Sequence, residues 1–328
     1  MERPIKLGFN SQSIITTITG KIPEWCKYRI PYAETEQITI EEGTIVCQFH
    51  SHILFFMEVV EFKLHQDLEA TYLVESPSLF LFLMLEGMIT FHTPDGKLIA
   101  EAPGNTCYVT YNKKGEYKYR LPAGSYRLCY LCPRANWIIR HLKRYPRLKP
   151  FIESMEHSDE LFGHMPACQM DNDMKQSMEQ LFREEEVLGE DLEATLSKQT
   201  KIVIADYQRL LDAKFTQRPY RIKDFLEENY ADSTLDNASI ANQFHISEKT
   251  LITDFKEEFE TTPHNFLIQV RMEHAKRLLS KEKMQVNEVY IHVGYKDLHS
   301  FSVQFTKYFK NPPSNYFKGR FLPFFWAF

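Results

Sequence analysis

No run of this chain is apolar for long enough to cross a bilayer. The longest uninterrupted stretch, Leu79 to Leu85, falls far short of the ~18 residues a spanning helix needs and suits a buried strand. The first ten residues, MERPIKLGFN, lack a basic segment followed by an apolar one, so no signal peptide is expected. A basic excess is missing as well: 39 Lys and Arg stand against 44 Asp and Glu, a formal charge of −5, which argues against strong nonspecific polyanion binding and leaves room for a locally basic face. The six cysteines (Cys26, Cys47, Cys107, Cys129, Cys132 and Cys168) show no disulfide spacing, and none lies in the last 160 residues. Thiols in a reducing cytoplasm are the expectation. Walker A, G-x-G-x-x-G, H-E-x-x-H and G-x-S-x-G patterns are all absent. No catalytic residue, metal, cofactor or enzyme activity is therefore expected, and no membrane partner.

A length of 328 residues with 43% hydrophobic and 25% charged residues is enough for about two packed domains. Charge is unevenly shared: residues from Arg218 onward sum to near +1 and the remainder to near −6.

Up to about residue 135 the chain reads as β-rich. Apolar and aromatic runs recur at 53–60, 79–85, 88–91, 107–111, 117–121 and 126–131, separated by turn signals such as Pro94-Asp95-Gly96 and Pro103-Gly104-Asn105. This spacing predicts an antiparallel sandwich or barrel, with a hairpin formed by 88–91 and 98–100. Tyr72, Phe80, Phe82, Phe91, Tyr108 and Tyr119 are placed either to line an internal pocket or to fill it. His50 and His52, two apart in a strand and followed by Glu58, have the outline of a metal site, but Glu58 is spaced too far and no later His completes the set. Ordinary strand histidines are the favoured reading. Cys129 and Cys132, three apart in a strand, point to opposite faces, so buried thiols are favoured over a redox or zinc pair.

From 136 to 217 the pattern turns helical, with helices expected over 173–188 and 192–215. In the second, Leu196, Val203 and Leu210 repeat every seven residues beside Leu192, Tyr207 and Leu211. That stripe suits either a partner helix in a homodimer or packing onto this chain's own β domain. Gln217-Arg218-Pro219 breaks the pattern and marks a boundary. The end of the chain, Phe321 to Phe328, is dominated by large apolar residues, fit to dock on this chain or on another subunit.

The segment from Ser233 to Gly319 carries the most information. Ser233-Thr234-Leu235-Asp236 reads as a capping-box start for a short helix burying Leu235, Ile240, Ala241 and Phe244. His245-Ile246 is a turn. Ser247 caps a second helix that buries Leu251, Phe255 and Phe259 and leaves Lys249, Ile252, Thr253 and Lys256 outside. A short helix, a tight turn and an amphipathic helix form a helix-turn-helix. Thr262-Pro263 opens a longer helix, with Arg271, Lys276 and Arg277 toward solvent. The pattern then recurs: a helix over 286–293, Gly294 as left-handed cap, and Asp297 capping 298–309, with Phe301, Phe305 and Phe309 inside.

Taken together, these residues resemble the DNA-binding domain of AraC/XylS-type transcription regulators. The matching positions are Ile240-Ala241, Ser247-x3-Leu251-x3-Phe255-Lys256, Thr262-Pro263, Arg271-Met272-x2-Ala275-x2-Leu278-Leu279, Val289-x3-Val293-Gly294-Tyr295, Phe301-Ser302-x2-Phe305 and Pro313-x2-Tyr316. The resemblance covers about the last 100 residues. It implies two recognition helices in successive major-groove segments of double-stranded DNA. Lys249, Ile252 and Thr253, then Leu298, His299, Ser302 and Val303, would face bases, while Lys256 and Lys307 would face phosphates. The sequence departs from the family where Thr253 and Val303 replace its usual arginines, and where Glu260 and Lys310 replace its frequent glycines.

The implied layout is an α+β multi-domain chain. Residues 1–135 would be a cupin-like antiparallel β barrel for sensing or dimerisation, 136–217 a helical connector, and 218–328 the all-α double helix-turn-helix domain. Such a regulator would answer a small-molecule effector, form a homodimer and engage the transcription machinery. Two other readings stay open: a metal cupin enzyme using His50 and His52, and an interaction protein whose DNA-binding domain has degenerated.

Overall fold

Alternation and burial explain why the first part of the chain forms strands. The computed structural model describes residues 3–157, 160–183 and 190–316. The chain divides into two units, Met1–Lys214 and Phe215–Phe328. The first unit begins with β1 (Ile5–Gly8), β2 (Ile14–Thr17), β3 (Glu34–Ile40), β4 (Gly43–Ser51), β5 (Phe55–Leu64) and β6 (Leu68–Val74). Next come β7 (Ser78–Glu86), β8 (Met88–His92), β9 (Leu98–Pro103), β10 (Thr106–Asn112), β11 (Gly115–Leu121) and β12 (Gly124–Pro133). Helices α1 (Ala135–His141) and α2 (Lys149–His157), short strands β13 (Phe162–His164) and β14 (Cys168–Gln169), and helices α3 (Asn172–Phe182) and α4 (Glu190–Phe215) complete it.

One sheet has the order β1-β6-β11-β8-β9 and the other β13-β10-β7-β12-β5-β4-β3-β2, with β14 also on β10. All pairs are antiparallel, and the expected β8–β9 hairpin is present with an irregularity between Phe91 and His92. The barrel expected for 1–135 is not closed. The chain changes sheet at β1–β2, β5–β6, β6–β7, β7–β8, β9–β10, β10–β11 and β11–β12, so the two sheets are joined by covalent crossings and among the described residues no strand pairs across both. The core lies between them. Phe62 of the larger sheet meets Tyr119 of the smaller at 6.4 Å between ring centroids, and Phe82 meets Phe91 edge-on at 5.3 Å.

The larger sheet is buried on its outer face as well. Val59, Leu83, Val109 and Leu131, outside the inter-sheet core, are buried, and β5 is buried at nine of its ten positions. α4 accounts for part of this cover: the Tyr207 hydroxyl accepts a hydrogen bond from the Val109 amide (3.1 Å) and donates to the Pro166 carbonyl. Leu196, Val203, Tyr207 and Leu211 of the α4 stripe are fully buried within this unit. These four positions thus pack within the chain's own first unit, one of the two arrangements the stripe suits, while Leu192 and Leu210 are half-buried.

Asp171 fastens α3 to α4. Its carboxylate accepts the Met174 amide as N-cap and takes a two-pronged bond from Arg209 (2.6 and 3.0 Å), which holds its pKa down to about 2. A depressed carboxylate contributes stability that is complete above its unfolded pKa near ~4 and is lost as pH falls through the folded value. Asp171→Asn is therefore expected to lower the thermal midpoint at pH 6, with the gap to the parent closing between about pH 4 and pH 2 in melts followed by circular dichroism. A gap that persists unchanged at pH 2 would show that the charge of Asp171 is not what fastens the helices.

The second unit is helical: α5 (Arg218–Glu228), α6 (Asn237–Gln243), α7 (Glu248–Phe259), α8 (Pro263–Ser280), α9 (Val286–His292) and α10 (Leu298–Phe309). Pro219 stands in the first turn of α5, after an extended Gln217, so the proline that ends the preceding pattern also begins the next helix. Two small cores result. Ile222, Leu226, Ile240, Ala241, Leu251, Phe255 and Leu267 form one; Met272, Ala275, Leu278, Leu279, Val289, Val293, Phe301 and Phe305 form the other. Among the described residues no helix is long and apolar enough to cross a membrane. The aromatic stretch 321–328 lies outside the described residues.

Candidate nucleic-acid interface and an internal cavity

The two helix pairs of the second unit are built alike. In the first, Phe244 ends α6, His245 takes a left-handed conformation (φ 54°), and the Ile246 amide returns to the Ala241 carbonyl. In the second, Val293 ends α9, Gly294 is left-handed (φ 77°), and the Tyr295 amide returns to the Tyr290 carbonyl. These turns correspond residue by residue, with Lys296 as one extra residue before the second cap. Ser247 then accepts the Thr250 amide (3.1 Å) and Asp297 the Ser300 amide (2.8 Å). That bond holds the Asp297 carboxylate below its usual range. The start of α6 differs from expectation: its capping box is Asp236 with Ser239, because Ser233 and Thr234 lie before the helix in a turn closed by Asp232.

Gly294 could not carry a side chain. Besides its positive φ, a Cβ there would sit 2.6 Å from the Tyr230 carbonyl oxygen. Arg271, expected toward solvent, instead turns inward. Its Nε donates to the Tyr230 carbonyl (2.8 Å) and its Nη2 to that of Asp232 (2.7 Å), with the guanidinium 5.6 Å over the Tyr295 ring. Sequence reasoning missed this because the partners are backbone carbonyls, which carry no residue signature.

The residues expected to face DNA occupy the outer sides of α7 and α10. Lys249, Thr253 and Lys256 are exposed on α7, with Ile252 half-buried. On α10, Leu298, His299, Val303 and Lys307 are exposed and Ser302 is half-buried. Of the acids on α7, Asp254 is ion-paired with Arg218 and Glu258 accepts the Tyr220 hydroxyl (2.6 Å), while Glu248 and Glu257 are exposed.

Both recognition-type helices end on a left-handed residue that is not glycine, Glu260 (φ 57°) and Lys310 (φ 58°). The left-handed conformation costs an ordinary L-residue roughly 1–2 kcal/mol. Glu260→Gly and Lys310→Gly are each expected to raise stability by about 1 kcal/mol in chemical denaturation, and destabilisation by either would contradict the strain.

In the first unit the six aromatics named above all line one cavity of about 270 Å³ between the sheets. Arg3, Glu58, Tyr130 and Asn112 add polar groups to its wall. Arg3 Nη2 lies 3.1 Å from Glu58, the Tyr130 hydroxyl donates to Glu58, and burial raises the Glu58 pKa. The hydroxyl of Tyr119, a residue of the same cavity wall, is buried without a hydrogen-bond partner among the described residues. An unpartnered buried hydroxyl costs about 1–3 kcal/mol. Tyr119→Phe is thus expected to raise the thermal midpoint of the ligand-free protein; a fall would mean that the hydroxyl already has a partner.

His50, His52 and Glu58 do not come together. Glu58 pairs with Phe49 and His50 with Met57, so Glu58 and the histidines lie on opposite faces. The Leu54 amide donates to His52 Nδ1 (2.9 Å), so the neutral ring carries its proton on Nε2 and directs it to the Glu193 carbonyl and carboxylate, both at 2.8 Å. That tautomer leaves His52 no lone pair for a metal ion, and His52 serves to pin α4 to the end of β4. Cys132 faces the inter-sheet core and Cys129 the other side, both buried as free thiols whose pKa burial raises.

Residues 240–319 match a family described as "Helix-turn-helix domain". The HTH-type transcriptional activator RhaS of Escherichia coli O157:H7 is 31% identical over 96 residues, 29% of this chain and 34% of its own. The raffinose operon transcriptional regulatory protein RafR of Pediococcus pentosaceus is 32% identical over 108 residues, 33% of this chain and 39% of its own. The chain thus spans little more than a third of the length of these relatives. The C-terminal domain of the response regulator yesN from Fusobacterium nucleatum is 31% identical, over 30% of this chain and 94% of that one, with a TM-score of 0.29. The C-terminal region of this chain is a helix-turn-helix domain, and it is of the AraC type.

Proposed function

We propose that this protein is a sequence-specific DNA-binding regulator of transcription. The observation that carries the reading is the duplicated unit: two side-chain-capped helices, α7 and α10, each held by a short helix and a matching turn, each with an outer face free of structural duties. Lys249, Ile252, Thr253, Leu298, His299, Ser302 and Val303 would meet bases, and Lys256 and Lys307 phosphates. Residues 218–328 form the DNA-binding part, 136–217 the connector and 1–135 the sensing part. The cavity between the sheets receives a small, mostly apolar effector, whose binding alters DNA affinity only insofar as it favours one state of the protein over another.

Selection from random duplex DNA by the full chain is expected to enrich two short blocks about one helical turn apart. Changing Lys249 and His299 together to Ala is expected to weaken binding to the selected site by roughly tenfold or more at low salt. Enrichment of no sequence would overturn the reading, and undiminished binding by the double variant would overturn the residue assignment.

A further inference from the structure

α10 differs from α7 in a way that bears on what it reads. Its outer side carries two aliphatic side chains in water, Leu298 at 39% exposure and Val303 at 55%. His299, Ser302, Val303 and Thr306 follow one another along that side, turned away from the buried Phe301 and Phe305. Between Leu298 and Phe309 the helix has no acidic residue; Asp297, just before it, is engaged with the Ser300 amide and hydroxyl, and Glu273 of α8 accepts the Tyr308 hydroxyl near its other end. Lys296 stands two residues before Leu298 and Lys307 one turn after Val303, both exposed. Two exposed aliphatic side chains among polar ones, with lysines near each in the chain, fit a surface that offers separate apolar groups in its floor and anions along its walls. The major groove presents just this where thymines occur, since the C5-methyl is the apolar group a base shows there.

We propose that α10 reads thymine methyl groups through Leu298 and Val303, so that the half of the target it contacts is specified by thymines at those positions. This rests on the DNA-binding reading above and adds the chemistry of one half-site. α7, with Lys249 and Thr253 exposed and its one outer aliphatic residue, Ile252, half-buried, would read its block mainly by hydrogen bonds. Val303 makes the sharper probe because it is the more exposed, so its truncation leaves both cores untouched.

The test uses the full chain and its selected duplex, with thymines replaced one at a time by deoxyuridine, which removes the methyl and keeps every hydrogen-bonding group. Burying one methyl is worth about 0.8 kcal/mol, so each contacted position is expected to lose about fourfold in affinity. Those positions should cluster in one block, and in Val303→Ala at least one should become indifferent to the methyl. The thermal midpoint of the variant, expected to match the parent, guards against a folding defect. Deoxyuridine tolerated at every position, or a Val303→Ala loss equal on thymine and deoxyuridine DNA, would overturn the proposal while leaving DNA binding intact. Absence of any selected sequence would overturn both.

Discussion

The DNA-binding-type unit depends on one turn, Tyr230 to Asp232, and on the helix it is tied to. The Tyr230 ring packs against both small cores and stacks on His274 at 4.0 Å. Its carbonyl accepts Arg271 from α8, and the same oxygen is the atom that leaves no room for a side chain at Gly294. α8 itself gives Leu267 to the first core and Met272, Ala275, Leu278 and Leu279 to the second. A close-packed interior does not deform continuously. One rigid helix shared by two cores therefore sets the separation of α7 and α10, and the Arg271 bonds stop the turn from sliding along it. Each core alone is small for an independent domain; sharing α8 and Tyr230 lets each stabilise the other.

What was legible in the sequence follows from how each element is buried. β5, β7, β10 and β12 are covered on both faces, so they read as apolar runs and were found. β3 and β6, with one face inward and sequences ETEQITI and LEATYLV, show only alternation diluted by acids, and were not. Barrel and sandwich share the same alternation. What separates them is the pairing of edge strands, which no local pattern encodes. The helical unit was legible almost throughout because caps, prolines and four-residue apolar spacings are local signals: Ser247, Thr262 and Asp297 cap as expected. The errors there, the inward turn of Arg271 and the shift of the first capping box to Asp236, both involve competition among neighbouring polar groups for backbone partners. The six cavity aromatics were legible as a set, but sequence could not decide between lining and filling, since that depends on how far apart the sheets stand.

His52 illustrates how a motif-like spacing dissolves once hydrogen bonds are assigned. Two imidazoles two residues apart have the spacing of a metal pair on a strand face, but β4 ends at Ser51 and His52 lies just past it. Yet one ring nitrogen is committed to the Leu54 amide, and the other must then donate to Glu193. The pair is a fastening between the sheet and α4, and a metal would have to displace two bonds to claim it.

The charge distribution places the burden of recognition on particular side chains. A unit with formal charge near +1 gains little from counterion release unless its few cations are clustered. Part of its positive charge is spent internally: Arg218 on Asp254, Arg271 on backbone carbonyls, and Lys223 on Glu227. α7 also keeps Glu248 and Glu257 in the open, where they would oppose phosphates. Under the proposed reading nonspecific attraction would be correspondingly weak, and affinity for a preferred site would have to come from contacts that depend on sequence and are little screened by salt. Aliphatic contacts are of that kind. Leu298 and Val303 in water represent apolar surface that gains only on meeting an apolar partner; under the proposed reading a DNA site lacking one would forfeit their contribution, and the scarcity of charge would become a source of discrimination.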